Sequence, residues 1–330
     1  MKRLVSRLVA GLVVGVAVYV GFSIWADVGR VGQALAAFRW RYALLACLLA
    51  ATNYGVRFLR WQYYLRRVGV TTVGTRDSLQ VFLAGFALTI TPGKLGEAVK
   101  AVLLRASHRI PMAKTAPIVI AERVTDLVAL LLLALVGVFS HDVDPRFLIA
   151  GAVLVVTGLV VVSVDPVAKA AIAIAGRLPV LRRFAHRFDD AHAHTAILLA
   201  PAPLVIATLL ATISWFFECL AFRTVVGGFP GAYIGLQDAT FVYAATTVAG
   251  ALSFLPGGLG VTEAGMLALL VRWGFGIDRG TAAAATFVTR AATLWFAVAL
   301  GLPALLLYAR RKHVNIDADV ARPEPTNGLP

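Results

Sequence analysis

Apolar residues run almost unbroken for the length of a bilayer crossing at about 4–25, 42–60, 117–140, 147–164, 204–226 and 281–308. Each stretch reaches, or nearly reaches, the roughly 20 residues a transmembrane helix needs. Two further apolar regions, 79–104 and 236–271, are interrupted from within by the pattern P-G-x-L-G. The pattern predicts an all-α, polytopic membrane protein with about six full spans. To these it adds two broken re-entrant helical hairpins.

The interruptions have a physical meaning. Proline removes a backbone donor and clashes with the preceding turn, so it ends a helix. Glycine admits the positive φ values that reverse a chain. Non-helical backbone at membrane depth is tolerated only where it is buried in protein or lines a wet cavity. Pro92, Gly93 and Gly96 in the first region, and Pro256, Gly257, Gly258 and Gly260 in the second, therefore predict a cavity. A half-helix restarts after each break with unpaired N–H groups and partial positive charge facing the gap, an arrangement that suits an anion.

Composition agrees with a bilayer solvent. The 330 residues are 59% hydrophobic and 15% charged, whereas soluble domains run near 45–50% apolar and about 25% charged. The formal net charge is +14, which in this setting implies basic loops against anionic headgroups rather than a nucleic-acid partner. Most of the 31 Lys and Arg residues fall in 1–7, 57–78, 105–114, 165–203 and 309–330. By the positive-inside rule these segments, with both termini, are expected to be cytoplasmic. The first broken region then starts and ends in the cytoplasm, and the second starts and ends outside. Arg30, Arg39 and Arg41 in loop 25–41 are exceptions to the bias. The first apolar stretch is longer than a signal-peptide core and no A-x-A-like cleavage site follows it, so it is expected to be a retained span. Segment 176–203 places Leu181, Phe184 and Phe188 at helical spacing among Arg182, Arg183 and Arg187, as in a helix lying on the inner leaflet. Residues 313–330 read as a disordered cytoplasmic tail.

TPGKLGEAVKAVLL (91–104) and LPGGLGVTEAGMLALL (255–270) share more than the break. Each continues into a glutamate, Glu97 or Glu263, and an apolar half-helix. Each is followed by an arginine in the next long span, Arg123 or Arg290. With opposite membrane faces, this predicts an inverted repeat with halves at about 42–164 and 204–308, within one domain of 1–312, and a midplane site between them.

Ionisable residues inside spans are costly and commonly functional. Lys94, Glu97, Glu122, Arg123, Asp126, Glu218, Glu263 and Arg290 are the candidate substrate-binding residues. Bland readings stand beside several of them. Glu97 and Glu263 sit where a carboxylate caps a helix, and Glu122, Arg123 and Asp126 could mark a helix entrance. Arg123 and Asp126, three apart, are spaced to pair. Asn53, Arg57 and Arg60 stack along one face, which reads either as a path leading headgroups inward or, the favoured reading, as the cytoplasmic end of a helix. Trp40, Trp61, Tyr63 and Tyr64 read as interfacial aromatics. Cys47 and Cys219 read as packing residues, His192 and His194 as a solvated loop, and no metal, cofactor or nucleotide-binding motif is expected.

The run TPGKLGEAVKAVLLR, then ERVTDLVALLLL, then FLPGGLGVTEAGMLALL resembles the lysylphosphatidylglycerol synthetase transmembrane region, also called the flippase-like or UPF0104 family. The resemblance covers about residues 5–310. It implies a membrane unit that flips an aminoacylated phospholipid, joined in the best-understood members to a soluble domain that makes the lipid. That soluble domain has no counterpart here, so the expected activity is transport rather than synthesis. Relatives associated with hopanoid and glycolipid pathways widen the expected substrate to an anionic phospholipid or a polyprenyl-phosphate-type lipid of the inner membrane. A separate lipid-synthesising enzyme is an expected partner, and a homo-oligomer is compatible with the sequence. Two rival readings are a membrane-embedded headgroup transferase and a non-transporting assembly factor.

Overall fold

The computed structural model describes residues 15, 17–22, 24, 26–90, 97–138, 153, 194–272, 275–312 and 314. Among them, regular structure is helical and no strand occurs. The expected spans at 4–25 and 147–164, the inner-leaflet helix and the C-terminal tail lie wholly or largely outside the described residues.

The helices are α1 Val28–Ala37, α2 Arg41–Arg67, α3 Thr75–Phe86, α4 Val99–His108 and α5 Met112–Val138, then α6 Pro201–Gly227, α7 Leu236–Leu252, α8 Val261–Arg272, α9 Arg279–Arg290 and α10 Phe296–Arg311. Asp27 and Asp278 cap α1 and α9, each side chain accepting two backbone N–H groups of the first turn. A wider π turn, Ala291–Trp295, joins α9 to α10. The result is one helix of 33 residues, Arg279–Arg311. That helix, α2 and α6 are long and apolar enough to cross a membrane. The membrane-protein class expected from the sequence therefore stands. Helix α5 is as long as α2 and α6, at 27 residues, but carries Glu122, Arg123 and Asp126 within its apolar run.

Both interrupted regions are helix–break–helix units. The first runs from α3 through turns at 87–90 to a short 3₁₀ step at 97–98 and then α4; its residues 91–96 are outside the description. The second runs from α7 through Ser253–Gly260 to α8. In each unit the two arms pack on each other.

Packing between the units is reciprocal. Helices α2 and α6 lie along one another, α3 packs on α10, and α7 packs on α5. The first arm of each unit thus rests on the long helix that follows the other unit. Small residues let these backbones approach, the usual basis of helix association in lipid. A Cβ on Gly301 of α10 would collide with backbone atoms of Phe86 and Ala87 at the end of α3. Gly250 and Gly258 likewise sit face to face across the second break, where a Cβ on Gly258 would lie 3.1 Å from the Gly250 Cα. Two large apolar clusters follow from this arrangement among the described residues, with a small third of Ile90, Leu259 and Leu294. One gathers around α6, α7 and α9, and the other around α2, α3 and α4.

Candidate functional site: a charged cavity between the two broken units

The second break shows how the motif works locally. Proline at 256 ends the extended segment, and Gly257, Gly258 and Gly260 take φ of 60°, 67° and 90°, a region that side chains with a Cβ rarely adopt. Helix α8 restarts at Val261, and Glu263 in its first turn accepts the Gly260 N–H through Oε2 at 2.7 Å. Its other oxygen, Oε1, accepts from Arg290 Nε at 2.6 Å. Arg290 Nη2 also donates to the Gly257 carbonyl, at 2.6 Å. One arginine therefore ties both sides of the break to the last long helix. Glu263 is 1% exposed and Arg290 6%, so the capping role and the ion-pair role coexist.

The first unit repeats this connection. Arg123 Nη2 donates to Glu97 Oε2 at 2.9 Å. Glutamate and arginine are 26 residues apart in this pair and 27 apart in the other. A second correspondence lies one turn on. Trp215 of α6 donates its indole N–H to Asp126 Oδ1, at 3.0 Å. Tyr54 of α2 donates its hydroxyl to the Thr293 carbonyl, at 2.6 Å. Asp126 and Thr293 each lie three residues beyond their half's arginine. Each unit's long helix is thus held at the same point by an aromatic donor from the opposite half.

Charge accumulates unequally on this frame. Around Asp126 gather Arg60 at 2.8 Å, Arg123 at 3.2 Å and Arg57 at 4.0 Å. Arg57 also reaches Glu97, at 4.0 Å. Lys100 pairs with Glu122 at 2.6 Å, and its ammonium lies 4.6 Å from the centre of the Trp61 ring. On the opposite wall, Glu218 accepts from Asn53 Nδ2 and from the Tyr243 hydroxyl, the latter at 2.7 Å. Arg57, Arg60, Lys100, Arg123 and Arg290 each lie within 4.0 Å of a carboxylate of Glu97, Glu122, Asp126 or Glu263, and Glu218 is held by its hydrogen bonds from Asn53 and Tyr243. All but Arg123, whose side chain is 25% exposed, are buried. Charges survive such burial only when paired and hydrogen-bonded, which accounts for the density of contacts.

These groups surround a cavity of ≈ 260 Å³. Arg57, Arg123, Asp126, Glu218 and Arg290 reach its wall, with Tyr54, Tyr243, Thr89 and Thr293 between them. At about 30 Å³ per water molecule, the space accommodates a lipid headgroup and falls far short of a two-chain lipid.

Several placements depart from the reading of the sequence. Glu97, Glu122 and Glu263 are not on the cavity wall; their carboxylates turn to Arg123, Lys100 and Arg290. Arg57 and Arg60, read as the cytoplasmic end of a helix, are 8% and 0% exposed and face Asp126. Trp61 and Tyr64, read as interfacial, are fully buried, because Trp61 donates to Ser78 and Tyr64 packs beside Thr125. Trp40 is exposed, at 63%. Lys100, Asn53 and Tyr243 were not candidates; of these, only the Asn53–Arg57–Arg60 stripe left a signal in the sequence. Lys94, Pro92, Gly93 and Gly96 lie outside the described residues. Among those described, no group of His, Cys, Asp and Glu has the form of a metal site.

Residues 12–301 match the family described as lysylphosphatidylglycerol synthase TM region. A UPF0104 membrane protein of Methanothermobacter thermautotrophicus is 26% identical over 319 residues, which take in 89% of this chain and 93% of that one. A UPF0104 membrane protein of Pyrococcus horikoshii is 23% identical over 329 residues, 91% of this chain and 96% of that one. With its long apolar helices and a family match over nearly its whole length, the chain is a membrane protein and belongs to the lysylphosphatidylglycerol synthase transmembrane-region family.

Proposed function

We propose that the protein moves an anionic lipid, a phospholipid or a polyprenyl-phosphate-type lipid, across the inner membrane, and that the headgroup passes through the cavity between the two broken units. The observation that carries this reading is the buried, charge-paired cavity at the junction of the units. A scaffold gains nothing from such a cluster, because buried ion pairs add little net stability. A translocation path needs it, because a headgroup must exchange its water for fixed polar partners.

Reciprocal packing, the matched Glu97–Arg123 and Glu263–Arg290 pairs and the two aromatic donors support an internal two-fold repeat. In this reading the units enter from opposite faces and both termini are cytoplasmic. The cations are already paired, so a headgroup phosphate binds by exchange. It displaces a carboxylate from Arg123, the most accessible of them, and the freed carboxylate keeps other partners. The acyl chains stay in the bilayer. The membrane unit performs no covalent chemistry in this account, and a separate enzyme supplies the lipid.

Two experiments test the reading. With Cys47 and Cys219 replaced, single cysteines at Thr72, just before the first unit, and at Tyr233, just before the second, both exposed, are expected to react with an impermeant thiol reagent from opposite sides; reaction of both from one side overturns the repeat's orientation. In vesicles carrying a fluorescent anionic lipid, Arg123→Gln is expected to slow translocation at least tenfold while leaving the protein inserted. An unchanged rate removes Arg123 from the path.

A further inference from the structure

The wall of the cavity changes character at one place. Ala251, Leu252, Phe254 and Leu255, at the end of α7 and the start of the second break, line the cavity and are also exposed. Phe254 is 72% exposed, Leu255 44% and Leu252 38%. Phe254 also has a φ of 54°, a left-handed conformation uncommon for a residue with a bulky side chain. A strained, outward-facing phenylalanine at the rim of a charged cavity is an expensive arrangement in water. Strain of this kind persists where the surroundings enforce it and tends to mark functional sites.

The polar side chain of the rim and the N–H groups around it turn inward. Ser253 sits among the four apolar residues, but its hydroxyl donates to the Gly250 carbonyl at 2.7 Å and accepts the Leu255 N–H at 3.2 Å. Several backbone N–H groups are directed inward in the same manner. The N–H groups of Ser253 and Phe254 go to the Ala249 and Ala251 carbonyls, and those of Gly258 and Leu259 go to Leu255 and Pro256. Gly260 N–H goes to Glu263. Pro256 has no N–H to place. A turn in water has no need of this economy, whereas irregular backbone facing hydrocarbon must satisfy its polar groups within the protein.

We infer that the Ala251–Leu255 rim is a lateral portal open to the hydrocarbon of the bilayer, and that it holds the glycerol-proximal acyl segment of a lipid whose headgroup lies in the cavity. The inference rests on the lipid-transport reading for its occupant. Charged walls within and an apolar mouth without match an amphiphile; a water-soluble ion or sugar phosphate would cross an apolar rim with nothing to bond to. Phe254 and Leu255 are then the residues that select a ligand with chains.

The position of the rim is testable whether or not transport occurs. With Cys47 and Cys219 replaced, a nitroxide is attached at Phe254→Cys or at Leu255→Cys in protein reconstituted in phosphatidylglycerol–phosphatidylcholine bilayers. Collision with oxygen, which concentrates in hydrocarbon, is expected to exceed collision with a water-soluble nickel chelate at both positions, and the opposite ratio would overturn the portal. Occupancy is read separately by binding. Leu255→Asp is expected to weaken binding of long-chain phosphatidylglycerol at least tenfold and to leave binding of glycerol 1-phosphate within twofold. Equal loss of both ligands, or of neither, contradicts an acyl-selective rim. Phe254→Gly, which adopts the same φ without strain, keeps the fold and is expected to lose the long-chain preference alone. If the spin-label ratio holds and no lipid is translocated, the transport reading fails and the portal stands.

Discussion

Removing Arg290 probes the frame on which the cavity depends. Its guanidinium makes two separate bonds from 6% exposure, one to Glu263 and one to the Gly257 carbonyl. Arg290→Ala leaves Glu263, itself 1% exposed, as a buried charge without its arginine, a loss of about 3–5 kcal/mol. The deserted carbonyl adds about 1 kcal/mol. Together these approach the whole stability of a marginal domain, about 5–15 kcal/mol. Glu263→Ala loses the cap on Gly260 as well as the ion pair, yet the double variant strands no charge. Its cost is therefore expected to fall about 2–3 kcal/mol below the sum of the single costs, as coupled neighbours do. Arg290→Lys keeps the charge but lacks the fork, so it is expected to fall between wild type and Arg290→Ala. Equilibrium unfolding in mixed micelles, followed by tryptophan fluorescence, measures all four. Additivity within about 0.5 kcal/mol, or an Arg290→Ala cost below about 1 kcal/mol, refutes the argument, because either means that the pair is not buried as described.

Three further outcomes follow from the same packing. Lys100→Met leaves Glu122 buried, at 1% exposure, and is expected to cost about 3–5 kcal/mol, whereas Lys100→Met with Glu122→Leu recovers most of it in the same unfolding assay. Gly301→Ala drives a Cβ into the Phe86–Ala87 backbone and is expected to cost about 1–3 kcal/mol as an overpacked contact, read as a lowered midpoint, with Gly227→Ala, which meets nothing, as the neutral control. The third concerns the end of the first unit, where Asp77 accepts from Lys312 at 2.8 Å, from Arg311, and from His108 at 3.3 Å. Lys312 foremost holds the Asp77 carboxyl below its ordinary 3.8, so that part of the stability is present above pH 3.8 and is lost as pH falls through the lowered value. Burial holds His108 below its ordinary 6.5, against the pull of Asp77. The unfolded chain then takes up the proton first, and stability declines as pH drops below 6.5. Wild type is expected to lose more stability than His108→Gln between pH 7.5 and 5.5, by under about 1 kcal/mol; an equal loss in both removes His108 from the effect.

What was legible in the sequence had a local signature. The breaks could be read because proline and clustered glycines leave few conformations open, and the second break uses three positive φ values at Gly257, Gly258 and Gly260. The membrane class was legible because a bilayer demands long apolar helices, of which α2, α6 and Arg279–Arg311 are clear cases. The parallel order of glutamate and arginine in the two halves also stood in the sequence, although only the fold brings each pair within hydrogen-bond distance.

The rest depended on tertiary partners. Arg57 and Arg60 have the appearance of routine basic flanks at the end of a span. Their burial follows from Asp126, which lies on another helix and has no spacing relationship to them. Lys100 and Glu122 are separated by a turn between α4 and α5. Glu122 and Asp126 share a face by spacing but diverge to different cations. Trp61 and Tyr64 look interfacial in sequence and are buried because the neighbouring α3 and α5 supply Ser78 and Thr125. The pairing of Arg57, Arg60, Lys100, Arg123 and Arg290 with carboxylates is also invisible to a count of charges. It changes the account of binding from attraction by free arginines to exchange between partners.

The most direct measurement is transbilayer movement of a headgroup-labelled anionic lipid in proteoliposomes of the purified protein, against a zwitterionic lipid and against empty vesicles. The account predicts rapid movement of the anionic lipid, collapsing to the empty-vesicle rate in Arg123→Gln with the protein still folded. Equal movement in all three preparations, or movement indifferent to Arg123, would contradict a headgroup path through the charged cavity.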